Sequence, residues 1–263
     1  LATNTITRGQ SVRPFPQFTS VTDTGVPWGN SSYNGLEMRV QRRMARGLTV
    51  TLNYTFSKTL GTGSSDYGGM RIDGMDREYN YGILQSDQPH NFLINVVYQT
   101  PKVAEGALGV IANGWQISGV YNWASGYPFQ VNYAFNDGTG GNIITGSEQN
   151  GRVVVLSEPG SGSSSDPYEQ FNVNAFGPPS PGSIGTESSQ FLMHQGALNN
   201  LDLSLSKSFT LVGRSKFEIR LDAFNALNHM QVFGTNNTVR FAGLNNHTIT
   251  NLAYDASGNL VNQ

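Results

Sequence analysis

Acidic side chains crowd one glycine-rich stretch, residues 61–89, where carboxylates could bind a cation. They are Asp66, Asp73, Asp76, Glu78 and Asp87. Carboxylate oxygens are ligands that Ca²⁺ prefers, but no regular Asp-x-Asp-x-Asp-Gly loop orders these residues. A solvated acidic loop is therefore the favoured interpretation. Calcium binding stays open as the alternative, and we assign no metal site.

Three tyrosines of the same stretch have rings that could stack on a sugar or an aromatic ligand. They are Tyr67, Tyr79 and Tyr81, and packing within the loop explains them equally well. Further aromatic residues at the mouth of the next long connection are Tyr127, Phe129 and Tyr133, for which packing is favoured. The predicted ligand-binding residues are Tyr67, Asp73, Asp76, Tyr79 and Tyr81.

Residue spacing indicates no catalytic constellation. The histidines His90, His194, His229 and His247 are scattered, and the chain contains no cysteine. Residues 138–141 (GTGG) resemble a phosphate cradle but lack the lysine and helix that should follow. The serines of the Gly-Ser stretches have no neighbouring base that could activate them. We therefore expect no enzyme activity, no catalytic residues and no cofactor.

The elements that position these side chains are strands in which residue types alternate. In residues 48–60, Leu48, Val50 and Leu52 point one way, while Thr49 and Thr51 point the other. The same period of two predicts six strands in one antiparallel sheet, paired in sequential order. Their predicted bounds are 32–43, 48–60, 90–100, 115–125, 199–209 and 216–225.

Connection lengths also alternate along the chain. Short connections at 44–47, 101–114 and 212–214 separate two long excursions, 61–89 and 134–197. Antiparallel neighbours reverse direction at each connection, so the short turns should share one rim and the excursions the other. This asymmetry is typical of outer-membrane β-barrels.

Two further segments carry weaker signals. Residues 129–133 are predicted to extend the strand 115–125 beyond a kink at 126–128. We expect the Asn-rich tail from residue 226 to contain no strong strand.

The predicted fold class is all-β, an antiparallel transmembrane β-barrel segment with long extracellular loops. Six strands are too few to close such a barrel, so we expect an open fragment. The alternative is a soluble extracellular β-sandwich that binds glycans or acts in adhesion. Alternation alone cannot separate the two, because sandwich strands also alternate.

Because side chains alternate along each strand, the remaining candidate residues can be assigned to one or the other face of the sheet. The predicted lumen-facing polar residues are Glu37, Arg39, Gln41, Arg220 and Asp222. The predicted membrane-girdle aromatics are Tyr54, Phe56, Tyr98, Trp115 and Trp123. Trp115 and Trp123 are eight residues apart on one face. At ~3.3 Å per residue and a tilt of roughly 40°, they span about 20 Å of membrane depth.

Composition excludes several function classes. The 16 basic and 18 acidic residues nearly balance, which argues against nucleic-acid binding. No apolar run approaches the 18 residues that a transmembrane helix needs. The polar opening Leu1-Ala2-Thr3-Asn4 predicts no signal peptide. Charged residues make up only 13% of the chain, which suits a protein rich in polar loops.

Several motifs in order carry a family resemblance. They are RPFPQF at 13–18, NSSYNGL at 30–36, GLTVTLNYTFSK at 47–58, SDQPHNF at 86–92, GWQISG at 114–119, NLDLSLSK at 200–207 and FNALNH at 224–229. Together they resemble the C-terminal barrel region of TonB-dependent outer-membrane receptors. The resemblance is to the Oar-like branch, in which a carboxypeptidase-regulatory-like domain precedes plug and barrel.

The resemblance implies a location in the bacterial outer membrane and import of a scarce solute. The implied partners are outer-membrane lipid, the protein's own plug domain and the TonB energy-coupling complex. The solute class stays open between carbohydrate, peptide and metal chelate. The family's plug, TonB-contacting segment and closing strand have no counterpart in this sequence. We therefore expect the chain to be an internal piece of the barrel.

Overall fold

The structure is a computed structural model. It describes residues 11–12, 14–18, 29–63, 77–138, 151–162, 166–183, 185, 191–210, 215–231, 234 and 236–262. The strands in these ranges are β1 (Ser31–Ala45), β2 (Leu48–Gly61), β3 (Gly82–Ile83), β4 (His90–Gln99), β5 (Trp115–Ala124), β6 (Pro128–Phe129), β7 (Asn132–Phe135), β8 (Val154–Val155), β9 (Phe176–Gly177), β10 (Met193–His194), β11 (Leu198–Thr210), β12 (Lys216–Ala223), β13 (Thr238–Gly243) and β14 (Asn246–Ile249). The helices are Arg77–Asn80 and Gly106–Ala112, with a 3₁₀ turn at Val173–Ala175.

Six long strands form one antiparallel sheet in the order β1-β2-β4-β5-β11-β12, with β3 paired to β2. Each neighbour is the next long strand along the chain, and the bounds lie within two residues of the predicted ones. The predicted all-β fold and sequential pairing are therefore confirmed. Among the described residues, β1 and β12 each have one partner, so the sheet is open at both edges.

The register aligns apolar with apolar side chains across the sheet. One row contains Val40, Leu52, Ile94, Tyr121 and Leu201. The adjacent row contains Gln41, Thr51, Asn95, Val120 and Asp202. Because side chains of successive residues point to opposite faces, the sheet has one apolar and one mainly polar face.

One edge of the sheet, the short-turn rim, carries the connections 46–47 and 100–114. In the first, Arg46 and Gly47 have φ of 53° and 80°, the positive values of a two-residue type I′ hairpin turn. The second contains the helix Gly106–Ala112. The third predicted turn, 212–214, lies outside the described residues, although its flanking strands pair up to Thr210 and Lys216. The excursions that follow β2 and β5 emerge at the opposite edge, the long-loop rim, as predicted.

The buried apolar core lies outside this sheet. Its members are Phe129, Val131, Tyr133, Phe135, Val153, Ala175, Phe176, Val239 and Phe241. All of them belong to the excursion after β5 or to the tail. A β-sandwich would instead bury Val50, Leu52 and Leu203 between two sheets. Leu203 is 40% exposed and the other two are only half-buried, so the described residues do not support the sandwich alternative.

Two sequence predictions are wrong. The tail was expected to contain no strong strand, yet β13 and β14 form a hairpin there. Residues 129–133 were expected to continue β5 beyond a kink. Instead β6 pairs with β10, and β7 runs parallel to β13. In both places, short strands pair with partners far away in sequence, which local alternation does not reveal.

Within the described part of the chain, no helix is long and apolar enough to cross a membrane.

Candidate ligand-binding site

The apolar face of the sheet is bounded by aromatic residues at both rims. Near the long-loop rim, the ring of His90 lies 5.2 Å from Phe56 and 6.3 Å from Trp123. Tyr54 belongs to this cluster, and its hydroxyl lies 2.8 Å from His90 Nδ1. Near the short-turn rim, Tyr98 pairs with Ile117, and Trp115 lies two residues before Ile117. All five predicted girdle residues therefore share one face, at two depths.

The polar face carries the predicted lumen-facing residues on the two edge strands. Glu37, Arg39 and Gln41 of β1 pair with Thr55, Asn53 and Thr51, which are also polar. On β12, Arg220 Nε donates a hydrogen bond to Asp222 Oδ1 at 2.8 Å. All five residues lie on the mainly polar face of their strands, as strand phase predicts.

Above the long-loop rim, parts of the 125–197 excursion and of the tail 226–262 fold together into a small domain, here called the cap. Its centre is the parallel pair of β7 and β13, in which Phe135 lies opposite Phe241. The pair is extended by hydrogen bonds from Asn132 N to Asn237 O and from Asn136 N to Phe241 O. A parallel pair requires a crossover, and here the chain passes through β11 and β12 before it returns. The tail thus closes back onto the excursion.

Asp87 joins the cap to the sheet. Its carboxylate is fully buried and lies 3.0 Å from His194 Nε2 and 3.5 Å from Lys58 Nζ. It also accepts a hydrogen bond of 2.5 Å from the backbone N–H of Thr59. The interpretation of the acidic stretch as solvated is therefore wrong for Asp87, which has a cation and two donors around it. Among the described residues, no cluster of three potential metal ligands is found.

A second link runs from the stretch before β3 into the cap. The guanidinium carbon of Arg152 lies 3.8 Å above the ring centroid of Tyr79. Arg152 Nη1 also donates to the backbone carbonyl of Tyr79 at 2.5 Å. Both residues are buried. One face of the Tyr79 ring is consequently covered by a cation of the protein itself.

A cleft of ≈ 450 Å³ opens in the cap between the excursion and the tail. Its lining residues are Val131, Pro167, Tyr168, Gln170, Phe171, Val173, Met230, Gln231, Gly234, Asn236, Asn237, Thr238, Val239, Asn251, Ala253 and Asn262. None of these lining residues is charged, and six of them carry side-chain amides. Such a surface offers both donors and acceptors with no net charge.

Not every amide in the cleft is free to meet a ligand. The Asn251 side chain accepts a hydrogen bond from Arg240 N at 2.9 Å and donates one to Thr238 O at 2.8 Å. It is therefore already bonded within the tail. Within the described contacts, the side chains of Gln170 and Asn237 have no such partner. Tyr168, at 46% exposed, and Met230 present apolar surface at the opening. The cleft can therefore hydrogen-bond a neutral solute and cover one of its faces.

Rigid contacts hold the walls of the cleft. The ring of Phe171 lies 5.8 Å from Phe129 and 6.3 Å from Phe176. Beside the opening, Tyr254 Oη donates to Asp166 Oδ2 at 2.5 Å. This bond raises the pKa of Tyr254 to about 12 and, with a bond from Tyr168 N, lowers the pKa of Asp166. The tail is thereby fastened next to Tyr168.

A comparison with known protein families shows which fold the sheet belongs to. The outer membrane beta barrel domain family matches residues 1–256. The chain belongs to this family. No curated protein and no solved structure matches it.

Membership of the outer membrane beta barrel domain family confirms the predicted location in the bacterial outer membrane. The apolar face of the sheet is then the lipid-facing side, and the polar face lines the lumen. Because the short turns of such barrels lie on the periplasmic side, the cap and its cleft lie on the extracellular side.

Of the five predicted ligand-binding residues, the structure describes Tyr79 and Tyr81, and neither of these two lines the cleft. Tyr67, Asp73 and Asp76 lie outside the described residues. Tyr79 is buried, and the guanidinium of Arg152 covers one face of its ring. Tyr81 is 47% exposed but does not line the cleft. Its role in binding stays a prediction.

Sequence reasoning missed Tyr168, Gln170 and Asn237. The first two follow a Gly-Ser run and an Asp-Pro step, a context typical of loops. One signal was present in the tail. Residues 238–243 (TVRFAG) alternate, and Val239 and Phe241 are indeed buried. That alternation would have predicted a strand beside Asn237.

Proposed function

We propose that this chain supplies part of the wall and the extracellular cap of a TonB-dependent receptor of the Oar-like branch, which binds and imports a scarce solute. Two features support the finer assignment beyond an outer-membrane barrel. The ordered motifs at 47–58, 86–92, 200–207 and 224–229 resemble that branch. Long connections on one rim also form a folded cap, as a receptor that captures solutes outside the cell requires.

The observation that carries the proposal is the uncharged, amide-lined cleft of the cap. Amides donate and accept hydrogen bonds, which matches the hydroxyl groups of carbohydrates, and an exposed tyrosine ring can cover the apolar face of a sugar. A charged metal chelate would leave its charge without a partner among the lining residues. Among carbohydrate, peptide and metal chelate, we therefore propose a neutral carbohydrate.

The proposed partners are the protein's own plug domain and the TonB complex. A plug would occupy the lumen, where the charged residues Arg39, Arg220 and Asp222 can pair with it. The proposal includes no catalytic step. Three histidine side chains make structural contacts: His90 with Tyr54, His194 with Asp87, and His247 with the carbonyl of Leu244.

Binding to the full-length protein in lipid nanodiscs tests the site. A panel of neutral oligosaccharides and short peptides is titrated by calorimetry against the wild type, Tyr168→Ala and Tyr127→Ala. Tyr127 is a matched control, since it is 49% exposed against 46% for Tyr168 and does not line the cleft. Loss of ring stacking should weaken oligosaccharide binding about tenfold in Tyr168→Ala alone. Equal affinities in all three proteins would refute the cleft as the binding site.

Uptake by whole cells tests the energy coupling. Cells that express the full-length protein should accumulate the radiolabelled oligosaccharide that binds best in calorimetry. A protonophore should abolish accumulation and leave surface binding intact, because TonB coupling draws on the inner-membrane proton gradient. Uptake that persists in the presence of the protonophore would contradict a TonB-dependent receptor. It would favour a passive porin-like barrel instead.

A further inference from the structure

The helix Gly106–Ala112, between β4 and β5, presents apolar side chains outward. Leu108 is 73% exposed, Ile111 is 68% exposed, and Val110 is similarly open. Val103, just before the helix, is exposed as well. Single exposed apolar residues are ordinary, but four large ones within residues 103–111 mark a surface that something covers.

Two side chains fasten the C-terminal end of this helix to the barrel. Trp115 Nε1 donates to the carbonyl of Ile111 at 2.9 Å. Lys207 Nζ donates to the same carbonyl at 2.8 Å and also to the carbonyl of Asn113. The last carbonyls of a helix have no partner within it, and here a tryptophan and a lysine satisfy them.

The position of these two residues decides which side of the barrel the helix occupies. Trp115 and Lys207 lie opposite each other in the β5–β11 ladder. They share the face that carries Ile117, Leu205 and Ile219, which is the lipid-facing side. The Lys207 ammonium lies 5.0 Å from the Trp115 ring. The helix is therefore attached to the outside of the wall and not to the lumen.

The Asn113 side chain satisfies three backbone groups of the connection. Asn113 Oδ1 accepts from the backbone N–H groups of Val103 and Ala104 at 2.7 and 3.2 Å, and its Nδ2 donates to Ala104 O at 2.7 Å. These three bonds fix the residues just before the helix to the residue just after it. The exposed apolar group of the connection consists of Val103, Leu108, Val110 and Ile111.

We propose that this helix lies in the periplasmic leaflet of the outer membrane, at the boundary between phospholipid headgroups and acyl chains. Three observations favour lipid as the occupant. The apolar group continues the lipid-facing side of the wall. It lies at the short-turn rim, which is periplasmic. Tryptophan and lysine, the two residues that hold it, are the types enriched at membrane interfaces.

Site-specific fluorescence in the full-length protein tests the proposal. Residues 1–263 contain no cysteine, so Leu108→Cys and Ile111→Cys each introduce a single site in this region for an environment-sensitive fluorophore. Any cysteine elsewhere in the full-length protein is first replaced by serine. Arg46→Cys is the control, because Arg46 is exposed in the hairpin turn of the same rim. The proteins are reconstituted in phosphatidylethanolamine–phosphatidylglycerol vesicles, with and without brominated phospholipid.

The labels at 108 and 111 should emit at shorter wavelength than the label at 46, and brominated lipid should quench only those two. Water-like emission without quenching at both sites would overturn the proposal and leave the helix in the periplasm. Blue-shifted emission that lipid bromines do not quench would also overturn it. That outcome would mean that another protein segment covers the helix.

A second pair of variants tests the attachment. Trp115→Phe removes one donor and keeps an aromatic ring at this position. Lys207→Met removes the other donor and keeps a long unbranched side chain. Each should raise hydrogen exchange of the Asn113 amide, which bonds to Gly109 O, by about tenfold. Exchange in β2 should stay unchanged. If Lys207→Met does not fold, Trp115→Phe alone decides, and unchanged exchange there would refute the attachment.

Discussion

Asp87 and His194 are 107 residues apart in sequence, yet the Asp87 carboxylate and the His194 Nε2 atom lie 3.0 Å apart. Each belongs to a different long connection of the extracellular rim. Their contact therefore ties the connection after β2 to the cap that follows β5. Lys58 adds a cation at 3.5 Å, so the buried carboxylate is surrounded by positive or donating groups.

Asp87→Ala should loosen the cap without unfolding the barrel. The substitution leaves the Thr59 N–H without its acceptor and removes the partner of His194, at a cost of about 1–3 kcal/mol. Native-state hydrogen exchange should show faster exchange at Thr59, and limited proteolysis should cut the cap sooner. Asp255→Ala is the control, because Asp255 bonds only within its own turn, to Ser257 and Asn259. Identical cleavage rates for both variants would contradict a linking role of Asp87.

The Tyr254–Asp166 bond should give the cap a defined pH window. The pKa of Asp166 is lowered, so its contribution is present above pH 3.8 and is lost as pH falls through the folded value. The pKa of Tyr254 is raised to about 12, so its contribution is present below pH 10.0 and is lost as pH rises through about 12. The attachment should hold between these limits.

A difference titration of tyrosinate absorbance between the wild type and Tyr254→Phe measures that phenol alone. The expected midpoint is about 12. Asp166→Asn should return the midpoint toward 10.0, the ordinary value of tyrosine. A midpoint that is the same with and without the Asp166 carboxylate would show that this bond is not the cause.

Gly47→Ala should destabilise the barrel more than Gly138→Ala. Both glycines have nearly the same positive φ, 80° and 79°, so each substitution carries a similar backbone penalty of about 1–2 kcal/mol. At Gly138 a new Cβ meets nothing within 4 Å. At Gly47 it would collide with the carbonyl of Gln99, whose own N–H donates to Gly47 O at 2.8 Å. Equal losses of stability in denaturant titrations would mean that the turn moves freely away from β4.

The six-stranded sheet could be predicted from the sequence because successive residues of a strand face opposite environments and therefore differ in polarity. Leu52 and Thr51 differ in polarity, and the same difference recurs at Ile94 and Asn95, their partners in the register. The apolar and polar faces of each strand can therefore be assigned from the sequence of that strand alone. The alternation of short and long connections then orders the strands.

The cap could not be predicted in this way. Its strands β6, β8, β9 and β10 are two residues long, too short to show a period. In its central pair, Phe135 lies opposite Phe241, although β11 and β12 lie between these two residues in the sequence. Burial of Asp87 was also invisible, because a carboxylate among glycines looks the same in sequence whether or not a lysine and a histidine later surround it.

The lipid and lumen assignments can be tested at two adjacent residues of β2. Leu52 lies in the apolar row with Val40 and Ile94, near the middle of its strand. Leu52→Arg in the full-length protein should therefore cost about 2–4 kcal/mol, because the charge must enter the hydrocarbon region. Thr51→Arg should cost far less, since Thr51 lies between Gln41 and Asn95 on the polar face. Stability is measured by denaturant titration after folding into bilayers, with Thr51→Ala and Leu52→Ala as size controls. If the two arginines were equally damaging, or Thr51→Arg the worse, the two faces of the sheet would have been assigned the wrong way round.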